Sequence, residues 1–232
     1  MEESVMPDRR RCAVALEPSS LIRDPRGRTL DAFVQTVARE GYDRATIEEV
    51  LVLAKVPEPV FYEHFEDRQD CLLAALEELI AGIEGAVSEQ VDRSAPWSER
   101  VRIGLQTLLA ALAGHPDGAR VAFVECLSAG EPAIARLRLA VASLVPTLEE
   151  GRGRSRDRGE DDEVPPPDTD HLPPQTSEAV VGGIASIVHR RVLESHTAEL
   201  PALLPDLLYF ALMPYLGHER ALAEAGFASA RA

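Results

Sequence analysis

The densest run of chemically capable side chains in this 232-residue sequence is Phe61-Tyr62-Glu63-His64-Phe65-Glu66-Asp67-Arg68, with Cys71 just beyond it. A thiol activated by a neighbouring imidazole is the first chemistry such a run suggests. The spacing argues against it, because His64 and Cys71 lie seven residues apart across a helix boundary at Asp67. Cys12, Cys71 and Cys126 are scattered, with no C-x-x-C pair and no Cys/His cluster of metal-ligand spacing. No metal centre and no cofactor are therefore expected. G-x-S-x-G, H-E-x-x-H and a phosphate-cradling glycine loop are all absent. Glu160-Asp161-Asp162-Glu163 sits in a proline-rich polar stretch and reads as a solvated run. No catalytic residue is assigned, and an enzyme is the weakest reading.

The elements around this run read as helices. Asp24 fits an N-cap and Pro25 a first helical position, and Leu30, Phe33, Val34, Val37 and Ala38 recur at helical spacing until Gly41. Thr46-Ile47-Glu48-Glu49 is a capping box opening a helix of about two turns. A break at Lys55-Val56-Pro57 precedes a short apolar set, Val60, Phe61 and Phe65. Asp67 then caps a longer amphipathic helix through Cys71, Leu72, Ala75, Leu76, Leu79 and Ile83. Helices follow from a Ser98 cap to about 113, from 118 to 128, from 132 to 150, from 177 to 195 and from 201 to 216. No segment alternates like a strand, so the class is all-α. Residues 1–23 read as a flexible arm, 24–70 as a compact head, 71–232 as a helical body, and 151–176, with five prolines, as a mobile loop.

The motif Gly41-Tyr42, Thr46-Ile47-Glu48-Glu49-Val50, Val56, then Phe61-Tyr62-Glu63-His64-Phe65-Glu66-Asp67-Arg68 and Leu72 resembles the head of the TetR-type helix-turn-helix transcriptional regulators. The resemblance covers roughly residues 26–80 and implies a three-helix DNA-binding head on a ligand-binding, dimerising body. It further implies that Arg44 and Thr46 meet one run of phosphates in a double-stranded DNA operator, and Tyr62, His64 and Arg68 another. Lys55 stands where the family usually has glycine, which asks a side chain to adopt a left-handed turn. The recognition helix opens Pro57-Glu58-Pro59-Val60, where the family usually has Ser, then Lys or Arg, then Gly or Arg, then Thr. Glu58 places an anion at the groove, able to accept from a cytosine amino group. Arg44, Thr46, Lys55, Glu58, Tyr62, His64 and Arg68 are the candidate DNA-facing residues.

The charge balance bears directly on that assignment. The chain carries 24 Lys and Arg against 39 Asp and Glu, a formal net charge of −15, so non-specific attraction to nucleic acid or an anionic membrane is not a whole-molecule property. Between Arg44 and Arg68 there are three cations and six anions. Two readings of different class follow: a ligand-responsive regulator, usually a repressor in this family, with weak and salt-sensitive DNA binding, or a module of the same fold that binds ligand or protein alone. The N-terminal MEESVMPDRRR lacks an apolar export core and no run reaches about 18 uninterrupted apolar residues, so a cytoplasmic protein with no membrane span is expected.

By the same resemblance, the body binds a small apolar or amphipathic effector that tilts two heads apart. Candidate lining residues are Trp97, Leu105, Leu109, Phe123, Cys126 and Leu127, with His189 facing them from a later helix. The last two predicted helices are apolar on most faces, which buries them in the core or in a homodimer interface. Val181, Gly182, Ile184, Val188, Leu204, Leu208 and Ala211 are the candidates, and sequence does not separate the two alternatives.

Overall fold

The computed structural model describes residues 24–154 and 172–227, and the arm at 1–23 and most of the stretch read as a loop lie outside them. The first helix, α1 (Pro25–Glu40), begins where expected: the Asp24 carboxylate accepts the Gly27 N–H at 2.8 Å, and Gly41 ends the helix at φ +87°. Leu30, Phe33 and Val37 form its buried face. Helices α2 (Ile47–Ala54) and α3 (Glu58–His64) pack on it, and α4 (Arg68–Gln90) starts from Asp67, whose carboxylate accepts the Asp70 N–H at 2.9 Å.

The chain continues with α5 (Trp97–Gly114), α6 (Pro116–Phe123), a 3-10 turn at Glu125–Leu127, α7 (Glu131–Ala142), α8 (Val145–Glu149) and α9 (Gly151–Arg154). After the undescribed stretch come α10 (Thr176–Leu193), a 3-10 segment at Thr197–Leu203, α11 (Leu204–Leu216) and α12 (His218–Glu224). The fold is all-α, with no strand among the described residues.

Prolines account for several departures from the predicted boundaries. The helix expected over 132–150 breaks after Ala142, and Pro146 lies in the first turn of α8 because it has no N–H to offer the Ala142 carbonyl. The helix expected from 201 begins at Leu204, with Pro205 in its first turn. Helix α5 starts at Trp97 behind Pro96, so Ser98 is not its cap. The start of the predicted loop is also corrected: residues 151–154 are helical, and the Arg152 guanidinium donates to the carbonyls of Leu172 at 3.0 Å and Pro173 at 2.7 Å. One arginine thus joins the two ends of the stretch.

Two apolar cores form. The first gathers Phe33, Val37, Phe61, Leu72 and Leu76 of α1, α3 and α4 with Phe65 at the end of α3, and it also takes in Val121 and Ala122 from α6, Cys126 from the 3-10 turn and Ala133 from α7. The second packs α5 against α10, α11 and α12. At its edge Trp97 meets Tyr215 edge-on at 5.3 Å, and the Trp97 N–H donates to the Thr147 carbonyl. A Cβ on Gly151 would lie 2.6 Å from the Trp97 ring and 2.9 Å from Tyr215, so only glycine lets α9 approach here. Gly151→Ala is expected to lower stability by about 1–3 kcal/mol through overpacking of two buried rings. Urea unfolding followed by Trp97 fluorescence measures it, and an unchanged midpoint would show that the rings yield.

Candidate nucleic-acid interface

The local chemistry of α2 fixes one end of the surface. Thr46 is extended, its hydroxyl accepts the Glu49 N–H at 3.3 Å, and the Glu49 carboxylate accepts the Thr46 N–H at 3.3 Å, completing the capping box. At the other end Lys55 is left-handed, with φ 54° and ψ 45°, and Val56 donates back to the Leu51 carbonyl at 3.2 Å. A side chain in that region costs about 1 kcal/mol relative to glycine. Buried Val56 and Phe61 then anchor α3, which leaves Glu58, Pro59, Tyr62, Glu63 and His64 exposed.

Five of the seven candidate residues converge. Arg44, Thr46, Glu58, Tyr62 and Arg68 line one open cleft of about 310 Å³ between the start of α2 and the face of α3. Lys55 and His64 are exposed outside it. Tyr62 is 52% exposed, its ring meeting Phe61 edge-on at 5.3 Å, so it projects from the surface while its base rests on the core. The Arg44 Nε donates to the Glu40 carbonyl at 2.7 Å, which holds that guanidinium beside the cleft.

Arg68 has a different environment from the phosphate-facing one its motif position implies. Its Nη1 donates to the carbonyls of Tyr42 at 2.9 Å and Ala45 at 3.0 Å, and its guanidinium carbon lies 4.3 Å from the centre of the Tyr42 ring. These partners belong to the turn between α1 and α2, whose carbonyls have no helical donors. Arg68 therefore ties the start of α4 to the turn that presents Thr46.

The body candidates do not share one site. Trp97, Leu105 and Leu109 are buried in the second core, whereas Cys126 is buried in the first, its thiol pushed up to about 11 by burial. Leu127 is 48% exposed and lines nothing with them, because the 3-10 turn rotates it outward. His189 donates from Nδ1 to the Phe123 carbonyl at 2.7 Å, which makes it a bridge from α10 to the half-buried end of α6.

Among the interface candidates, Val181, Val188, Leu208 and Ala211 are buried in the chain's own core, and Ile184 and Leu204 are partly buried against it. Gly182 is exposed. The outward face is instead carried by Ala179, Gly182, Ser186 and Leu193 on α10 and by Phe210 and Met213 on α11. Sequence reasoning missed Phe210 and Met213, since a helix apolar all round gives no periodic signal for which side faces out. Among the described residues no three His, Cys, Asp or Glu side chains group as a metal site, and no helix is long and apolar enough to cross a membrane.

Residues 30–75 match the sequence profile described as bacterial regulatory proteins of the tetR family. The fold is shared with the fatty acid degradation regulator FadR from Bacillus halodurans, at 19% identity and TM-score 0.66 over 80% of this chain and 97% of that one. FadR from Bacillus subtilis, solved in complex with stearoyl-CoA, aligns at 18% identity and TM-score 0.65 over 82% and 98%. A tetR-family regulatory protein from Rhodococcus RHA1 aligns at 18% identity and TM-score 0.63 over 83% and 97%.

The Arg68 geometry predicts that charge alone cannot replace the guanidinium. Arg68→Lys is expected to lower the unfolding free energy by about 1 kcal/mol, and Arg68→Ala by about 2 kcal/mol, given partly exposed charge-assisted hydrogen bonds. Urea denaturation of both variants tests this, and a lysine variant with native stability would return Arg68 to the surface.

Proposed function

From the match of residues 30–75 to the tetR family of bacterial regulatory proteins and the fold shared with such regulators, we propose that the chain is a homodimeric transcriptional regulator, probing DNA with α2 and α3 and answering to a small apolar or amphipathic effector in the body. The observation that carries this is the cleft in which Arg44, Thr46, Glu58 and Tyr62 converge beside the exposed face of α3. A side-chain donor, a capped helix start and a projecting phenol are suited to positioning a backbone, while the edge of α3 meets bases. The stearoyl-CoA held by one structural relative favours an amphipathic acyl compound as the first effector to try. Release by that effector, and repression as the sign of control, follow the family's usual mode.

The electrostatics set how such binding would behave. With Arg68 turned to the α1–α2 turn, Arg44 and Lys55 are the cations each head offers near the groove. Two heads then release few counterions, and the slope of log affinity against log salt is expected to be about −4. Duplexes selected from a random pool by the purified protein, titrated by fluorescence anisotropy at two salt concentrations, measure the slope. Glu58→Lys should tighten binding about tenfold and steepen the slope, since it replaces an anion at the groove by a cation. An affinity unmoved by that change removes Glu58 from the interface.

The exposure of Glu58 at the start of α3 favours one second reading, a ligand- or protein-binding module of the same fold that does not engage DNA. Failure to enrich any duplex would select it. Dimerisation is tested independently on the outward face of α10 and α11. Met213→Glu is expected to weaken self-association at least about a hundredfold, because a symmetric interface meets the new charge twice. Sedimentation velocity reads this directly, and a dimer as tight as the parent's would place the interface elsewhere.

A further inference from the structure

Buried polar side chains outside the cleft have mostly local explanations. Thr29 and Thr36 return their hydroxyls to carbonyls four residues earlier in α1, and Ser177 pairs with the Tyr215 hydroxyl at 2.8 Å. Glu125 is different. It is a carboxylate only 7% exposed, it lies in the body, and its Oε2 accepts the backbone N–H of Tyr42 at 3.0 Å across 83 positions of sequence. Its Oε1 pairs with Arg120 of α6 at 3.1 Å.

We propose that Glu125 is a positioning residue through which the body sets the angle of the DNA-facing head. This rests on the regulator reading and names the contact that would make it regulated. The contact falls on the turn that presents Thr46. Tyr42 gives its N–H to Glu125 and its carbonyl to Arg68, so one peptide segment is gripped from the body on one side and from α4 on the other. Gly41 at φ +87° brings that segment close, since a Cβ there would stand 3.4 Å from the Glu125 carboxylate. The same α6 segment is tied to α10 by His189 at the Phe123 carbonyl. Helix α10 carries part of the outward apolar face, so the chain of contacts runs from that face, through α6, to the head.

Arg120 makes the grip reversible. A buried carboxylate stripped of its only partner would be costly, which would lock the contact shut. Here Arg120 and Glu125 travel together on α6 and the 3-10 turn, so a shift of α6 away from the head leaves the charge paired. What is released is a neutral N–H, which water can satisfy. In charge the engaged and released states therefore differ by one directional hydrogen bond rather than by an unpaired carboxylate, so the electrostatic part of the gap is small enough for an effector's binding energy to bridge.

Spin labels on Glu63→Cys in α3 and Ala202→Cys in the body, both exposed positions, report the head angle in the full-length chain. Cys12→Ser removes the arm thiol, and Cys71 and Cys126 are buried with raised thiol pKa values that keep them unlabelled. Labelled chain is diluted into unlabelled chain so that only intrachain distances are read. The parent should give one narrow distance. Glu125→Ala should broaden and shift it, and Glu125→Gln, whose amide oxygen still accepts the Tyr42 N–H, should restore the parent distribution. An unchanged distance in the alanine variant overturns the proposal, as does a glutamine variant displaced as far as the alanine one. If Glu125→Ala fails to fold, hydrogen exchange at Tyr42 in the parent decides, with protection of at least about tenfold expected from a charge-assisted bond and free exchange overturning it. Neither readout uses DNA, so a chain that binds no duplex would sink the regulator reading while leaving this result standing.

Discussion

The six-residue turn from Gly41 to Thr46 is the constraint on which the rest of the head depends. A turn between two helices carries backbone groups that neither helix can satisfy, and a buried one left unpaired costs about 1–3 kcal/mol. Here the groups are met from outside: Arg68 takes the carbonyls of Tyr42 and Ala45, and Glu125 takes the Tyr42 N–H. The Tyr42 ring, buried beneath Arg68, completes the clamp. With the turn held, Thr46 can cap α2, α2 can set the left-handed corner at Lys55, and the corner can aim α3.

This arrangement changes what the acidity of the head means. A head with three cations and six anions between Arg44 and Arg68 is poorly provided for phosphate, and the structure directs one of those cations inward. The loss for electrostatic binding is a gain for rigidity, since a guanidinium fork holds two carbonyls in fixed geometry where a lysine would hold one loosely. On the proposed reading, DNA recognition by such a head would rely less on counterion release and more on the shape of α3, where Glu58, Pro59 and Tyr62 are exposed. Such a surface would discriminate through what it excludes as well as through what it attracts.

Much of the head was legible in the sequence because its signals are local. Asp24, the Thr46–Glu49 box, Gly41, Lys55 and Asp67 each act within four residues, and each sits in the structure where its chemistry requires. The Tyr42–Glu125 bond was illegible for the opposite reason: no periodicity links residues 83 apart, and a glutamate in a short 3-10 turn has no pattern to mark it as buried. The Arg68 contact was half legible, its motif position visible and its direction not. In α10 and α11 the obstacle was excess signal. Val181, Val188, Leu208 and Ala211 face the chain's own core while Phe210 and Met213 face out, and the uniform hydrophobicity of both sides erased the distinction.

Helix α6 shows why the boundary between head and body is a mechanical question rather than a positional one. Val121 and Ala122, with Cys126 of the turn that follows, complete the head's apolar core, while Ala119 belongs to the body's and Phe123 touches both. An eight-residue helix shared in this way cannot move relative to one core without disturbing the other, because close-packed interiors shift between discrete arrangements rather than deform smoothly. Any ligand that repacks α10 or α5 therefore acts on α6, and the stiffness that holds the head in place is the same property that would carry a signal to it.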